Sequence, residues 1–352
     1  MRIQIMVKLW FFVVIGVASS CKKDPEIEED RKSLGTFDGG VFVLNEGTFS
    51  DFRGGLDFIS SDLKTIDLDI YVKSNGEEMG NVLRGAAIKD SLLYCVFNDS
   101  QRLVVSNRYT AKKNAETSFG LESPTAIVLN DKFIYVSNGT RFNDGVNQLS
   151  ILDRHSLSLI RRISLPGYVN SMVILNGILF VPDQNSYSNQ ISLIDSETNT
   201  VRGGGTLPKG RVVSLITDNE NVYALTREWD ENNAYIYTLD SGGKIIHQTK
   251  LSGMADAYDL EVNKGKLYFT IGLDVYVLDV KAQQAPAKPL FTCSDFPKTR
   301  EYIDGLAIID DRIFLSAYSP YEDDSQVLIY DLNGKLLRSH SSGRGTVGFL
   351  KN

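Results

Sequence analysis

Arginine and aromatic side chains, gathered in the links between strand-like runs, carry most of the chemistry open to this 352-residue chain. One set of links holds Arg141, Phe142, Tyr187, Arg227, Trp229 and Tyr318; another holds Arg84, Tyr168, Arg211, Tyr258, Arg300, Tyr302 and Arg344. Such side chains set among Asn and Asp are typical of recognition surfaces, since they offer large contact area and directed donors. Taken singly, each serves as well to brace a loop; as a set they point to ligand binding. Arg84, Arg211, Arg300 and Arg344 together suggest an anionic or phosphate-bearing group. The competing reading is pairing with neighbours such as Asp256, Glu301 and Asp304.

Catalytic chemistry has little to draw on. There are three His and three Cys, and no HExxH, GxSxG or P-loop pattern. The acid-rich loops YEDDS (Tyr321–Ser325) and FNDG (Phe142–Gly145) do not match an EF-hand. No catalytic residue, metal site or cofactor is therefore assigned. A net charge of −7 argues against nucleic acid, whose phosphates need clustered Lys and Arg.

The elements that must position these links form a repeat. An aromatic recurs inside a strand-like run at Phe42, Tyr94, Tyr135, Phe180, Tyr223, Tyr268 and Phe314, at intervals of 41–52 residues. A second mark follows each one, at Asp62, Asn107, Asp153, Asp195, Asp240, Asp279 and Asp331. Each copy reads as four short β-branched runs ended by Asn, Asp or Gly. A period in the forties with four strands per copy is the signature of a β-propeller blade. The fold expected is all-β: a seven-bladed propeller of four-stranded blades. The aromatics and the Asp marks are read as blade packing and turn chemistry. The first copy opens at its second strand, so the last run, Gly345–Leu350, is expected to supply the inner strand of the first blade beside Val41–Asn45 and close the ring. Cys95 and Cys293 fall in the second and sixth copies, too far apart for a disulfide, and are expected to be buried thiols. Alternating strand direction puts the longest links, between second and third strands, on the same face as the blade-to-blade links. That face, rich in loops on a rigid scaffold, is the expected binding face.

The runs YVSNGT (Tyr135–Thr140) and SLIDSETNTV (Ser192–Val201) resemble the YVTN (YncE-like) propeller repeat, and GVFVLNEGTFS (Gly40–Ser50) resembles seven-bladed surface lipoproteins of Gram-negative bacteria. The wider group includes corrinoid-capturing BtuG-like proteins, but it supplies no diagnostic corrinoid motif, so no binding residue is carried over from it. Arg2 and Lys8, the apolar run Leu9–Ala18, small residues and then Cys21 resemble a lipoprotein signal. The resemblance implies a signal peptide over 1–20, acylation of Cys21, an acidic tether over 21–36 and one propeller domain over 37–352. KKDPEIEEDR, residues 22–31, is too polar to bury a core and resembles the acid-rich export tag of surface lipoproteins.

The expected function is an outer-membrane, cell-surface binding module, held to the membrane through Cys21. It would capture a small molecule or partner beside a TonB-dependent transporter, with a corrinoid among the candidate ligands. The alternatives are a propeller lyase or hydrolase working on the axis, and a structural scaffold for another surface protein.

Overall fold

The computed structural model describes residues 33–47, 54–139, 147–184, 188–317 and 324–352. These form seven four-stranded antiparallel sheets around an axis. The third blade shows the pattern, with strands Pro124–Leu129, Phe133–Asn138, Gln148–Asp153 and Leu159–Ser164 running from axis to rim.

Alternation along each strand explains how single sheets become a ring. Successive side chains point to opposite faces, and both faces of a blade are covered by its neighbours. In Val41–Asn45, Val41 and Val43 enter the core shared with the last blade, whereas Phe42 and Leu44 enter the core shared with the second. The buried hydrophobics separate into seven clusters, one at each blade-to-blade seam. All seven recurring aromatics are buried, and each faces the following blade. Burial of one such ring is worth about 1.5–3 kcal/mol, so the repeated mark adds to the packing of every seam.

The second mark is turn chemistry. Each of Asp62, Asn107, Asp153, Asp195, Asp240, Asp279 and Asp331 accepts a backbone N–H from the turn that follows it. Those N–H groups hold the carboxyls of Asp153, Asp195, Asp279 and Asp331 below the usual range. The tight inner hairpins at Asn176-Gly177, Lys264-Gly265 and Asp310-Asp311 have positive φ at both central residues. That is the mirror-image turn whose twist matches the flanking strands.

The ring closes as the sequence implies. Thr346–Lys351 lies antiparallel to Val41–Asn45, with Phe42 opposite Leu350 and Val43 opposite Phe349, so the chain's last strand is the innermost of the first blade. A buried polar knot fixes this join. Asp57 Oδ2 accepts from Asn45 Nδ2 (2.8 Å), Ser342 Oγ (2.7 Å) and the Gly343 N–H (2.8 Å), while its Oδ1 accepts the Asp69 N–H (2.8 Å). Thr346 Oγ1 donates to Asn45 Oδ1 at 2.7 Å, and the Asn352 N–H reaches Gly40 O at 2.9 Å. The Asp69 contact also starts the short helix Ile70–Asn75, which no apolar period in the sequence announces.

Cys95 and Cys293 are buried free thiols in the second and sixth blades. His155 lies in an outer turn, and His247 and His340 lie on outer strands facing the carbonyls of Ala282 and Leu63.

Candidate functional site

Every blade contributes to one cavity of about 840 Å³ at the mouth of the axis. Its wall takes Val347 from the first blade, Arg84 from the second, Thr125 from the third and Tyr168 and Ser171 from the fourth. Ser214 and Arg227 come from the fifth, Tyr258 and Asp259 from the sixth, and Tyr302 and Asp304 from the approach to the seventh. A volume in this range suits a small organic ligand or the end of a larger one.

Five residues singled out from sequence meet here: Arg84, Tyr168, Arg227, Tyr258 and Tyr302. Arg84 pairs with Glu46 at 2.9 Å. Burial pushes the Glu46 carboxyl up, and Arg84 pulls the other way. Arg227 donates through Nη2 to Asp256 Oδ1 at 3.0 Å and through Nε to the Ala255 carbonyl. Its guanidinium also lies 4.6 Å from the ring centre of Trp229, and that of Arg211 lies 4.7 Å from the same ring. Trp229 is 47% exposed and held by two cations, one of them the cavity-lining Arg227.

Arg227 and Trp229 differ in setting from the sequence reading. The strands on either side run on, Val222–Glu228 and Asn233–Leu239, and a single 3₁₀ turn at Trp229–Glu231 joins them. Arg227 therefore projects from a strand, which fixes it better than a loop would. Arg300 is buried and donates to the Asp324 carbonyl at 3.1 Å. Arg344 lies at the ring's join, where its carbonyl accepts the Gly47 N–H at 3.0 Å. Arg300, Arg344 and Arg211 stand outside the cavity wall. Arg141, Phe142, Tyr187 and Tyr318 lie outside the described residues, as does Cys21.

The sequence reading missed the acids of the sixth blade. Its inner strand Tyr258–Asn263 reads YDLEVN. Leu260 and Val262 enter the core against the fifth blade, which turns Asp259 and Glu261 toward the seventh. Burial, with Asp304 adding like charge, pushes the Asp259 carboxyl up to about 7. Burial, with Asp259 adding like charge, pushes Glu261 up to about 8. The signal was available: the other inner strands, such as LRGAAIK, PTAIVL and GLAII, carry no carboxylate.

These features define a seven-bladed β-propeller with a polar, tyrosine-lined axial cavity. The chain belongs to the DUF5074 family, a domain of unknown function, whose sequence profile matches residues 39–302. No curated protein matches the sequence. Among solved structures, a quinonprotein alcohol dehydrogenase-like protein of Bacteroides thetaiotaomicron is similar, with a TM-score of 0.71 and 14% identity over 90% of this chain and 78% of that one. BamB of Moraxella catarrhalis superposes at a TM-score of 0.54 with 13% identity, over 89% of this chain and 88% of that one. Hydrazine synthase of Kuenenia stuttgartiensis gives 0.59 and 13%, over 76% of this chain and 88% of that one. At these identities the likeness is one of fold.

Proposed function

We propose that this protein is a lipid-anchored, surface-exposed binding module that holds a small molecule in its axial cavity beside an outer-membrane, TonB-dependent transporter. The single observation carrying the reading is the cavity itself, of about 840 Å³ and lined from all seven blades. Its position at the convergence of rigid strands gives a preformed site. The lipobox-like run ending at Cys21 and the acidic tether support the address. The resemblance to YncE-like and BtuG-like propellers makes a corrinoid the first ligand to try.

Trp229 provides the assay. The sequence has two tryptophans, Trp10 and Trp229, so the chain from Cys21 onward reports only from Trp229, which packs on the cavity-lining Arg227. Titration with corrinoids, oligosaccharides and siderophores should give one saturating fluorescence change, with a matching rise in melting temperature. A protein whose fluorescence and melting are indifferent to all three classes would sink the reading. Changing Cys21→Ala should move the protein from the membrane to the soluble fraction; retention after a carbonate wash would contradict the anchor.

One observation favours a second reading, a hydrolase or lyase on the axis. The carboxyls of Asp259 and Glu261 hold their protons near neutral pH, which a general acid requires. Turnover of esters or glycosides that is lost in Asp259→Asn would favour it over binding alone.

A further inference from the structure

The arginines at the cavity have partners, Glu46 for Arg84 and Asp256 for Arg227. The acids opposite are differently placed. Asp259 Oδ2 is shut off from solvent and meets no hydrogen-bond donor among the described residues, although Asp259 lines the cavity. The N–H of Leu306 is the one donor that eases its charge, and no Lys or Arg among the described residues pairs with it. Its backbone sits in the left-handed region at φ 45°, where the strand's register slips between Tyr258 and Glu261. A second wall atom, Ser171 Oγ on the fourth blade, is likewise buried and without a partner among the described residues.

An unsatisfied buried carboxylate oxygen costs about 1–3 kcal/mol or more. A ligand that supplies a donor and a positive charge would recover that cost and offset the like charge of Asp304. We propose that Asp259 is the recognition point for a cationic nitrogen, a protonated amine or guanidine, within the axial cavity, with Ser171 Oγ accepting or donating to a polar group of the same ligand. The proposal rests on the binding-module reading and adds the ligand's charge class to it. The aromatic rings of Tyr258 and Tyr302 beside it, 42% and 55% exposed, suit a cation as well.

Proton linkage follows. Asp259 faces Asp304 from the approach to the seventh blade and Glu261 from its own strand; Arg227 and Asp256 stand on the fifth-blade side, and Tyr268 lies opposite Glu261 on the adjacent strand. A cation must displace a proton from this set, so its binding weakens as pH falls below neutrality.

The probes are putrescine, agmatine and propylammonium, with 1,4-butanediol and succinate as neutral and anionic controls. Purified protein should be stabilised by at least one cation at about pH 8 and by neither control, with at least tenfold weaker binding at about pH 5.5. Asp259→Asn should lose at least tenfold in affinity, and Ser171→Ala severalfold. Calorimetry of the unmodified protein in two buffers of different ionisation heat should show proton release near neutral pH, a readout independent of whether a variant folds. The proposal is overturned if no cation binds, if the diol binds as well as the diamine, if Asp259→Asn keeps full affinity, or if no proton is released. A neutral or anionic ligand that shifts Trp229 fluorescence and is indifferent to Asp259→Asn leaves the binding module standing and removes the cation site alone. A cavity that takes up no small molecule of any charge removes the binding reading itself.

Discussion

Asp57, on the third strand of the first blade, and Asp259, on the inner strand of the sixth, are both buried carboxylates, and the fold treats them in opposite ways. Asp57 accepts four hydrogen bonds from the first and last blades and the start of the helix. Asp259 keeps one oxygen without a donor among the described residues, on the seventh-blade side of its strand where the cavity also reaches it. A buried charge that is fully hydrogen-bonded specifies structure, whereas one left short of donors opposes folding. The difference separates the part of the ring built for closure from the part shaped for something outside it.

Removing the closing strand tests the first half of that contrast most severely. Deletion of residues 346–352 strips the Val41–Asn45 edge of its partner and Asn45 of Thr346. Several buried polar groups lost together take a large share of a total stability of about 5–15 kcal/mol. The truncated chain should aggregate or melt at least ten degrees lower, read by circular dichroism. Next in size is Asp57→Ala, which strands four donors. It should lower stability by about 3 kcal/mol or more in urea titration. An effect below about 1 kcal/mol would mean that the knot only decorates the join.

Asp259→Asn should have the opposite sign. A carboxyl whose folded pKa lies above its unfolded value binds its proton more tightly in the folded state. Its contribution is therefore fully present below about pH 4 and is lost as pH rises through about 7. The wild-type protein should thus lose stability from about pH 4 to pH 8, on the order of 4 kcal/mol from this group. The variant should flatten that slope and match or exceed wild type at about pH 8. A slope unchanged by Asp259→Asn would erase the contrast with Asp57. The smallest effect is expected at Trp229: Trp229→Ala should cost under about 1 kcal/mol of stability, since its ring is half exposed and its contacts are two cations. Its loss should instead weaken whatever ligand the cavity takes.

Blade number, strand order and the closing strand were legible because each rests on a residue type repeated in register. Phe42 and its six counterparts mark the seams, and Asp62 and its counterparts mark the turns. The site was legible only in outline. Arg84, Tyr168, Arg227, Tyr258 and Tyr302 share one cavity because the strand ends and links that carry them converge on the axis. Pairing partners were harder to read. Glu46 meets Arg84 across a blade boundary, and no local pattern announces such a contact. The acids of YDLEVN were overlooked because Arg and aromatic residues drew the reading toward an anion. The alternation of Leu260 and Val262 with Asp259 and Glu261 carried the missing information.

The first blade is assembled from both ends of the propeller, and this sets the order of events in synthesis. Blades two to seven are each continuous in sequence and can hairpin as they emerge. Val41–Asn45, made early, must wait some 300 residues for Thr346–Lys351. At a synthesis rate of about 5–20 residues per second, that is a delay of tens of seconds with one sheet edge open. Closure is a single late, long-range step, so the finished ring and its axial cavity exist only once Thr346–Lys351 has been made.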